Sequence, residues 1–423
     1  MINFPASPQH SSDVLIIGGG IIGVCAGYYL VRAGFDVTLV EKDRINAGST
    51  AGNAGLIIPS DSLPVPGPGV LTQGLRWLLD SASPFYLKPT LDPAVIRWLW
   101  EFQGACRERA WKQAAPVLTE LSEQSVRLFE EILQGEEIDC EYHRSGLLLL
   151  YRSENGFREG QELAEKLTPL GVQGRALPLG ELEDFFPPAH PDLQGGLYFQ
   201  PDAHLDPAEF TAKLTDRAAG RGMRVIEDCE VLDFEVNSGE IQSALTTRGR
   251  FKADHYILAA GAWTAGLAEK FNLRLPIQPA KGYSLTFQRP DRYPELPLIL
   301  DEVKIAVTPL GDSLRLAGTL ELAGLDLEIN QRRVQAIYTN AARYLEIDLD
   351  QQPLVEIWRG LRPCTPDGLP VIGRTSAASN LIAASGHCML GISQGPMTAR
   401  LVTELVQGRE PSLDLSLLDP DRF

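Results

Sequence analysis

Cysteine and histidine are scarce in this sequence, with six of each among 423 residues. The cysteines form no CxxC pair and the histidines no HExxH motif, so we predict neither a metal site nor a disulfide framework. Such cysteine usage is typical of a reducing compartment. Uncharged apolar runs of about 18 residues are also missing, which argues against a membrane-spanning helix. The N-terminus lacks the basic and apolar regions of a signal peptide, so we predict a cytoplasmic protein.

Positive charge is in deficit as well. Lysine and arginine number 38 against 55 aspartates and glutamates, which gives a formal net charge of −17. A field of this sign repels phosphate backbones, so we expect no nucleic-acid partner. Hydrophobic residues make up 44% and charged residues 22% of the chain, ordinary values for a globular protein. The length predicts two or three domains, which can be interleaved.

The clearest motif is a glycine-rich turn near the N-terminus. Residues 13–17 form an apolar run typical of a buried parallel strand, and Gly18, Gly20 and Gly23 follow as GxGxxG before a helical pattern. Glu41 ends a second predicted strand, where its carboxylate can bind the ribose hydroxyls of a dinucleotide. An acid there disfavours NADP but does not separate NAD from FAD.

Two further small-residue blocks favour a flavin over a nicotinamide. Residues 49–55 supply small side chains and backbone N–H groups, as a planar ring lying against the chain requires. Residues 385–402 place Gly386, His387 and Gly391 just before a predicted helix that starts near Ser393. The N-terminus of that helix can stabilise the negative charge of a reduced flavin.

These motifs resemble the D-amino-acid dehydrogenases of the FAD-dependent D-amino-acid oxidase (DAO) superfamily, with glycine and sarcosine oxidases as relatives. The resemblance runs from GGGIIG through STAGNAG, the GLRWLL and SPFYLKP segments and GAW to GLRPCTPDGLPVIG and GHCMLGI. It implies an α/β protein whose Rossmann-like FAD-binding domain, of the glutathione-reductase type, is interleaved with a mixed-sheet α+β substrate domain. We predict residues 1–70, 205–270 and 355–423 for the FAD domain, and 71–204 and 271–354 for the substrate domain.

The resemblance and the three glycine-rich blocks together predict a set of FAD contacts. They are Gly18, Gly20, Ile21, Ile22, Gly23, Glu41, Lys42, Ser49, Thr50, Asn53, Ala54, Gly55, Leu56, Val231, Gly261, Trp263, Gly386, His387, Cys388, Met389, Leu390, Gly391 and Ile392.

The resemblance also implies a reaction. A hydride passes from the substrate Cα to flavin N5, and the resulting imine is hydrolysed to a 2-oxo acid and ammonia. Arg362 is expected to bind the substrate carboxylate bidentately, from a stiff turn between Gly360 and Pro363. Tyr283 is a candidate ligand of the carboxylate or amine, although a core tyrosine is as good an interpretation. His387 is a candidate catalytic group, although packing beside the flavin explains it equally well.

Several alternatives stay open at this point. They are a D-hydroxyproline or other cyclic-amine dehydrogenase, a glycine or sarcosine oxidase, an NAD-linked dehydrogenase, and a flavin subunit of a larger electron-transfer complex that does not need Arg362. Met389 stands where glycine oxidases carry a basic residue, which disfavours that branch. Cys364 and Cys388 lie in the region where sarcosine oxidases attach flavin covalently, with no sign that favours attachment here.

A tryptophan-rich helical region raises the question of the electron acceptor. Residues 71–135 carry Trp77, Trp98, Trp100 and Trp111 together with several arginines and lysines. Tryptophans on helices usually face a core or line a lid. A dehydrogenase of this kind passes its electrons to a quinone or another acceptor, so peripheral contact with the inner face of the cell membrane is the alternative interpretation.

Overall fold

The computed structural model describes residues 9–77, 83–291 and 293–423. The first eight residues of the predicted FAD domain and part of the GLRWLL segment lie outside these ranges. The strands are β1 Gln9–Ile17, β2 Val37–Val40, β3 Leu56–Ile57, β4 Phe85–Leu87, β5 Leu147–Tyr151, β6 Arg175–Pro178, β7 Gly195–Phe199, β8 Ala203–His204, β9 Arg224–Ile226, β10 Val231–Asn237, β11 Glu240–Thr246, β12 Gly249–Leu258, β13 Gln278–Gln288, β14 Leu298–Leu300, β15 Ile305–Leu310, β16 Ser313–Leu322, β17 Leu354–Cys364, β18 Val371–Arg374 and β19 Leu381–Ser385.

Ten α-helices connect these strands in the described ranges. They are α1 Ile21–Arg32, α2 Val70–Trp77, α3 Pro93–Ala105, α4 Glu108–Glu136, α5 Glu154–Leu167, α6 Leu179–Phe185, α7 Pro207–Gly220, α8 Thr264–Ala268, α9 Gln331–Ala341 and α10 Gly391–Val406. None of these helices is both long and apolar enough to cross a membrane.

The first sheet has the predicted β–α–β entry. Its eight strands follow the order β10-β11-β12-β1-β2-β9, and β19 joins β12 with β18 beside it. β1 runs parallel to both β2 and β12, as a right-handed crossover through α1 requires. Val14 and Ile16 pack against α1, α7 and α10 on one face, whereas Leu15 and Ile17 pack on the other. Burial on both faces explains the unbroken apolar run in β1.

The second sheet is mixed and has nine strands. Its main order is β17-β13-β16-β15-β14-β5-β7-β6, and β4 pairs with β16. Most neighbours are antiparallel, but β14 pairs with β5 in parallel. The LLLLY run of β5 is buried on both faces, since alternate side chains enter two separate hydrophobic clusters. These two sheets confirm the predicted α/β class with a mixed second sheet.

The predicted domain boundaries stay a prediction, and two elements pack across them. β17 begins at Leu354 and pairs with β13 along its length, so it belongs to the second sheet, whereas the sequence predicts residues 355–364 for the FAD domain. In α4, Val126, Phe129 and Ile132 pack with α1 in the core beside the first sheet, whereas the sequence predicts this range for the substrate domain. Both departures depend on long-range packing that local patterns do not reveal.

Candidate active site

A cavity of about 2060 Å³ lies between the two sheets. It exceeds the roughly 300–1,000 Å³ of common small-molecule pockets, so it has room for a large cofactor together with a substrate. Arg362, Tyr283 and twenty of the predicted cofactor residues line it. The three others are Gly23, Gly55 and Gly386, which shape the turns behind the wall. The structure therefore brings together residues from both ends of the sequence.

The GxGxxG turn connects β1 to α1 as predicted. Gly18 has φ +116°, and a Cβ there would lie 2.4 Å from the carbonyl oxygen of Ala259. A Cβ on Gly23 would lie 1.9 Å from the carbonyl oxygen of Gly18, so only glycine lets α1 approach β1 this closely. Gly20 caps α1 and faces the cavity. In the described chain the backbone N–H groups of Ile22 and Gly23, in the first turn of α1, have no hydrogen-bond acceptor, and such groups suit a pyrophosphate.

Four more of the predicted FAD contacts meet at the cavity beside the glycine turn. Glu41 follows β2 directly, and its carboxylate accepts hydrogen bonds from the backbone N–H groups of Gly19 at 2.6 Å and Asp43 at 3.1 Å. Lys42 places its Nζ 3.6 Å from the centre of the Trp263 ring. Val231 begins β10 on the same wall. A carboxylate beside the glycine turn suits ribose hydroxyls, as the sequence predicts.

The 49–55 loop is held against α1 at one end and folded back at the other. Thr50 Oγ1 accepts a hydrogen bond from the backbone N–H of Ile21 at 3.1 Å. Asn53 Oδ1 accepts one from the N–H of Gly55 at 2.9 Å. Gly55 has φ +75°, and a Cβ there would lie 2.0 Å from the carbonyl oxygen of Leu205. The glycine turn and this loop, both open toward one large cavity, fit an FAD molecule.

The C-terminal loop places α10 two residues earlier than predicted, since the helix begins at Gly391 and not near Ser393. Gly386 has φ +82°. Cys388 has φ +49° and is disulfide-bonded to Cys364 at the end of β17, with the two Cα atoms 4.4 Å apart. The prediction that the cysteines form no disulfide framework is therefore wrong for this pair. Tertiary folding brings the two cysteines together, and their sequence spacing gives no sign of it.

His387 is buried in this loop. Its Nε2 lies 2.9 Å from Thr398 Oγ1 on α10. Burial lowers the pKa of the His387 imidazole to about 3. The ring is therefore neutral at any pH at which the protein would be assayed, and its predicted catalytic role stays a prediction.

A pH profile tests the state of His387. Because its pKa lies far below 6.5, we expect kcat/KM to show no limb from this group between pH 5 and pH 9. The His387→Gln variant should then give a profile of the same shape as the wild type. A limb near pH 6.5 that disappears in His387→Gln would contradict this expectation.

Arg362 lies within β17, not in the stiff turn predicted from its neighbours. Its guanidinium lies across Gly282 of β13, where a Cβ would be 1.9 Å from Nη1. Nη1 donates a hydrogen bond to the carbonyl oxygen of Thr319 at 2.6 Å. In the described ranges the guanidinium forms no salt bridge. Burial lowers the pKa of Arg362 to about 10, so it remains a cation at pH 7 and can bind an anion from the cavity.

Tyr283 follows Gly282 on β13 and therefore points to the opposite face of the strand. Its hydroxyl donates to Glu321 Oε2 at 3.0 Å and accepts from the backbone N–H of Asn330 at 3.2 Å. Lys281 shares this buried network through its ion pair with Glu321 at 3.7 Å. These bonds occupy the hydroxyl, so they favour the interpretation of Tyr283 as a core tyrosine over a role as substrate ligand.

Two residues of the site are not predicted from the sequence. Trp358 lies against two glycines at the cavity wall, because a Cβ on Gly52 or Gly360 would lie about 2 Å from its ring. Arg315 of β16 reaches the 49–55 loop from the second sheet. No local sequence pattern indicates Arg315, because it reaches the loop from a distant strand.

Comparison with known proteins identifies the family. A model described as "DAO: FAD dependent oxidoreductase" matches residues 13–405. The chain belongs to this family of FAD-dependent oxidoreductases. FAD is accordingly the cofactor of this DAO-family enzyme, and the predicted family and cofactor are confirmed.

Relatives and solved structures agree with this assignment. A D-amino acid dehydrogenase of Vibrio atlanticus is 30% identical over 96% of this chain and 99% of its own length. One of Granulibacter bethesdensis is 31% identical over 95% and 97%. Glycine oxidase from Geobacillus kaustophilus has a TM-score of 0.81 at 24% identity, covering 98% of this chain and 99% of that chain. L-Proline dehydrogenase from P. horikoshii has a TM-score of 0.77 at 20% identity, covering 98% of each chain. These structures confirm the predicted DAO fold.

Proposed function

We propose that this DAO-family enzyme oxidises the Cα–N bond of a D-amino acid to an imine, which water hydrolyses to a 2-oxo acid and ammonia. The names of the full-length relatives support this substrate class. The observation that carries the proposal is the Arg362 guanidinium, which faces the cavity without a carboxylate partner in the described chain. When bound, FAD supplies the two-electron acceptor for the hydride.

Different residues of the cavity bind the substrate and the cofactor. Arg362 pairs with the substrate carboxylate, and its planar fork fixes the direction in which Cα faces. Gly282 leaves the space that the guanidinium occupies, and the carbonyl oxygen of Thr319 accepts a hydrogen bond from it. The glycine turn, Glu41 and the 49–55 loop hold the cofactor. His387 stays neutral and bonded to Thr398, so we propose a packing role for it beside the cofactor.

Anaerobic bleaching of the flavin absorbance against a panel of amino acids tests the proposal. We expect D-amino acids to bleach it and their L-enantiomers to leave it oxidised. Bleaching confined to D-hydroxyproline would indicate a cyclic-amine dehydrogenase, and bleaching confined to glycine or sarcosine would indicate a glycine or sarcosine oxidase. A flavoprotein that no amino acid reduces would instead support a subunit of a larger electron-transfer complex.

We further propose that the electrons pass to a quinone and that α3 contacts the membrane surface. Ile96 and Trp100 are 51% and 73% exposed on one side of α3, and Leu91 just before it is 90% exposed. Trp98 does not take part, since it is buried and its Nε1 donates to the carbonyl oxygen of Cys364. Trp111 is half-buried in a core cluster, and the Trp77 side chain lies outside the described residues.

Vesicle sedimentation tests this contact. We expect Trp100→Ser to lower the bound fraction on phospholipid vesicles severalfold, because an exposed indole contributes much of an interfacial contact. Val355→Ser is the matched control, since Val355 is also exposed but lies on β17. Equal binding by wild type and Trp100→Ser would exclude α3 as the contact.

A further inference from the structure

The 49–55 loop is tied to both sheets. In the first domain, Thr50 holds the N–H of Ile21 at the start of α1. From the second sheet, Arg315 of β16 donates two hydrogen bonds through the same Nη1. They reach the carbonyl oxygens of Ala51 at 2.8 Å and Asn53 at 2.9 Å. The middle of the loop is therefore positioned by a residue that does not belong to the cofactor-binding sheet.

Arg315 is a costly residue to place here. Its side chain is 7% exposed, and its Nε has only a long hydrogen bond, to Thr286 Oγ1 at 3.3 Å. It forms no salt bridge within the described ranges, although Asp206 and Glu356 act on it from a greater distance. Burying a cation without a close counterion costs more solvation free energy than burying a neutral side chain. Its contacts with the two loop carbonyls are what offset this loss.

The direction of these two carbonyls determines the direction of the next two N–H groups. The described residues contain no cis peptide bond, and across a trans peptide the C=O and the following N–H point in opposite directions. The N–H groups of Gly52 and Ala54 therefore point away from Arg315. Both residues line the cavity, and neither N–H has a hydrogen-bond acceptor in the described chain.

We propose that Arg315 is a positioning residue for FAD. By holding the carbonyls of Ala51 and Asn53, it presents the N–H groups of Gly52 and Ala54 as donors to the polar edge of the flavin ring. Trp358 packs on Gly52, the first of these two donors, and supports the loop there. This role depends on the cofactor alone and stands whichever amino acid proves to be the substrate.

Reconstitution of the apoprotein with FAD tests the role of Arg315. For Arg315→Met we expect the FAD dissociation constant to rise at least tenfold and the visible circular dichroism of the bound flavin to change. Arg315→Lys should restore the dissociation constant to within about threefold, since an ammonium keeps the positive charge and the N–H donors. Should Arg315→Met not fold, the shorter Arg315→Gln is measured instead, with at least a threefold rise expected.

Arg333 offers a matched control. It is 5% exposed, also lies in the second domain and also donates to a backbone carbonyl, that of Ser83, but it is not in the cavity wall. Arg333→Met should lower thermal stability while leaving the FAD dissociation constant and the flavin dichroism within twofold of wild type. Wild-type FAD binding and dichroism in the Arg315 variants, or an equal loss of FAD in Arg333→Met, would overturn the proposal.

Discussion

Arg362→Met should raise the KM for the amino acid about 100-fold while FAD stays bound. Two hydrogen bonds to a charged partner, each worth at least about 1.5 kcal/mol, are lost with the guanidinium, and a loss of about 3 kcal/mol corresponds to roughly a factor of 100 in affinity. The FAD contacts lie in other elements, so the flavin content should not change. Steady-state kinetics with the preferred substrate of the bleaching panel measures this effect.

Arg359→Met is the control on the same strand. Arg359 also borders the cavity. It lies an odd number of residues from Arg362, however, so its exposed side chain faces the other side of β17, where its Nε donates to the carbonyl oxygen of Leu327. We expect its KM to stay within about threefold of wild type, as is usual for an exposed position. An unchanged KM in Arg362→Met, or an equal rise in Arg359→Met, would refute carboxylate binding by Arg362. Loss of flavin from Arg362→Met would indicate that the arginine binds the cofactor and not the substrate.

Gly23→Ala should give protein that retains less than about a tenth of its FAD. The added methyl group would lie 1.9 Å from the carbonyl oxygen of Gly18, so α1 must move away from β1. Overpacking of this kind costs about 1–3 kcal/mol, and the shift displaces the helix N-terminus that faces the pyrophosphate. The ratio of flavin to protein absorbance in the purified variant measures the result.

Gly104→Ala provides the corresponding control. Gly104 lies in α3, and an added Cβ would meet nothing within 4 Å. Alanine is favoured over glycine in a helix by about 1 kcal/mol, so this variant should keep its full flavin content and be slightly more stable. Full flavin retention by Gly23→Ala would show that the close approach of α1 to β1 is not required.

The parts of the site that depend on local chain geometry could be predicted from the sequence. Gly18, Gly20 and Gly23 lie within six consecutive residues, and a strand, a turn and a helix of this length impose their arrangement directly. The 49–55 loop and the loop before α10 are predictable for the same reason, since their small residues are close together in the sequence. Small residues and positive φ values leave a recognisable composition even before the fold is known.

The parts that depend on strand register could not be predicted. Gly282 clears the space under Arg362 only because β13 pairs with β17 in the observed register, which sets Gly282 opposite Gly360. The same register sends Tyr283 to the other face, where Glu321 binds it. Arg315 reaches its loop across 262 residues of sequence. Pairings at this distance are decided by the packing of two sheets and leave no local pattern.

The bond between Cys364 and Cys388 also has a consequence for the unfolded chain. It closes a covalent ring over a sequence separation of 24 residues, and the ring contains β18 and β19. Closing a loop of this size removes conformational entropy from the denatured ensemble and favours the native state by about 3 kcal/mol in the chain-entropy account. Thermal denaturation therefore leaves one end of the arginine-bearing strand tethered to the segment before α10, which shortens the search for that contact on refolding.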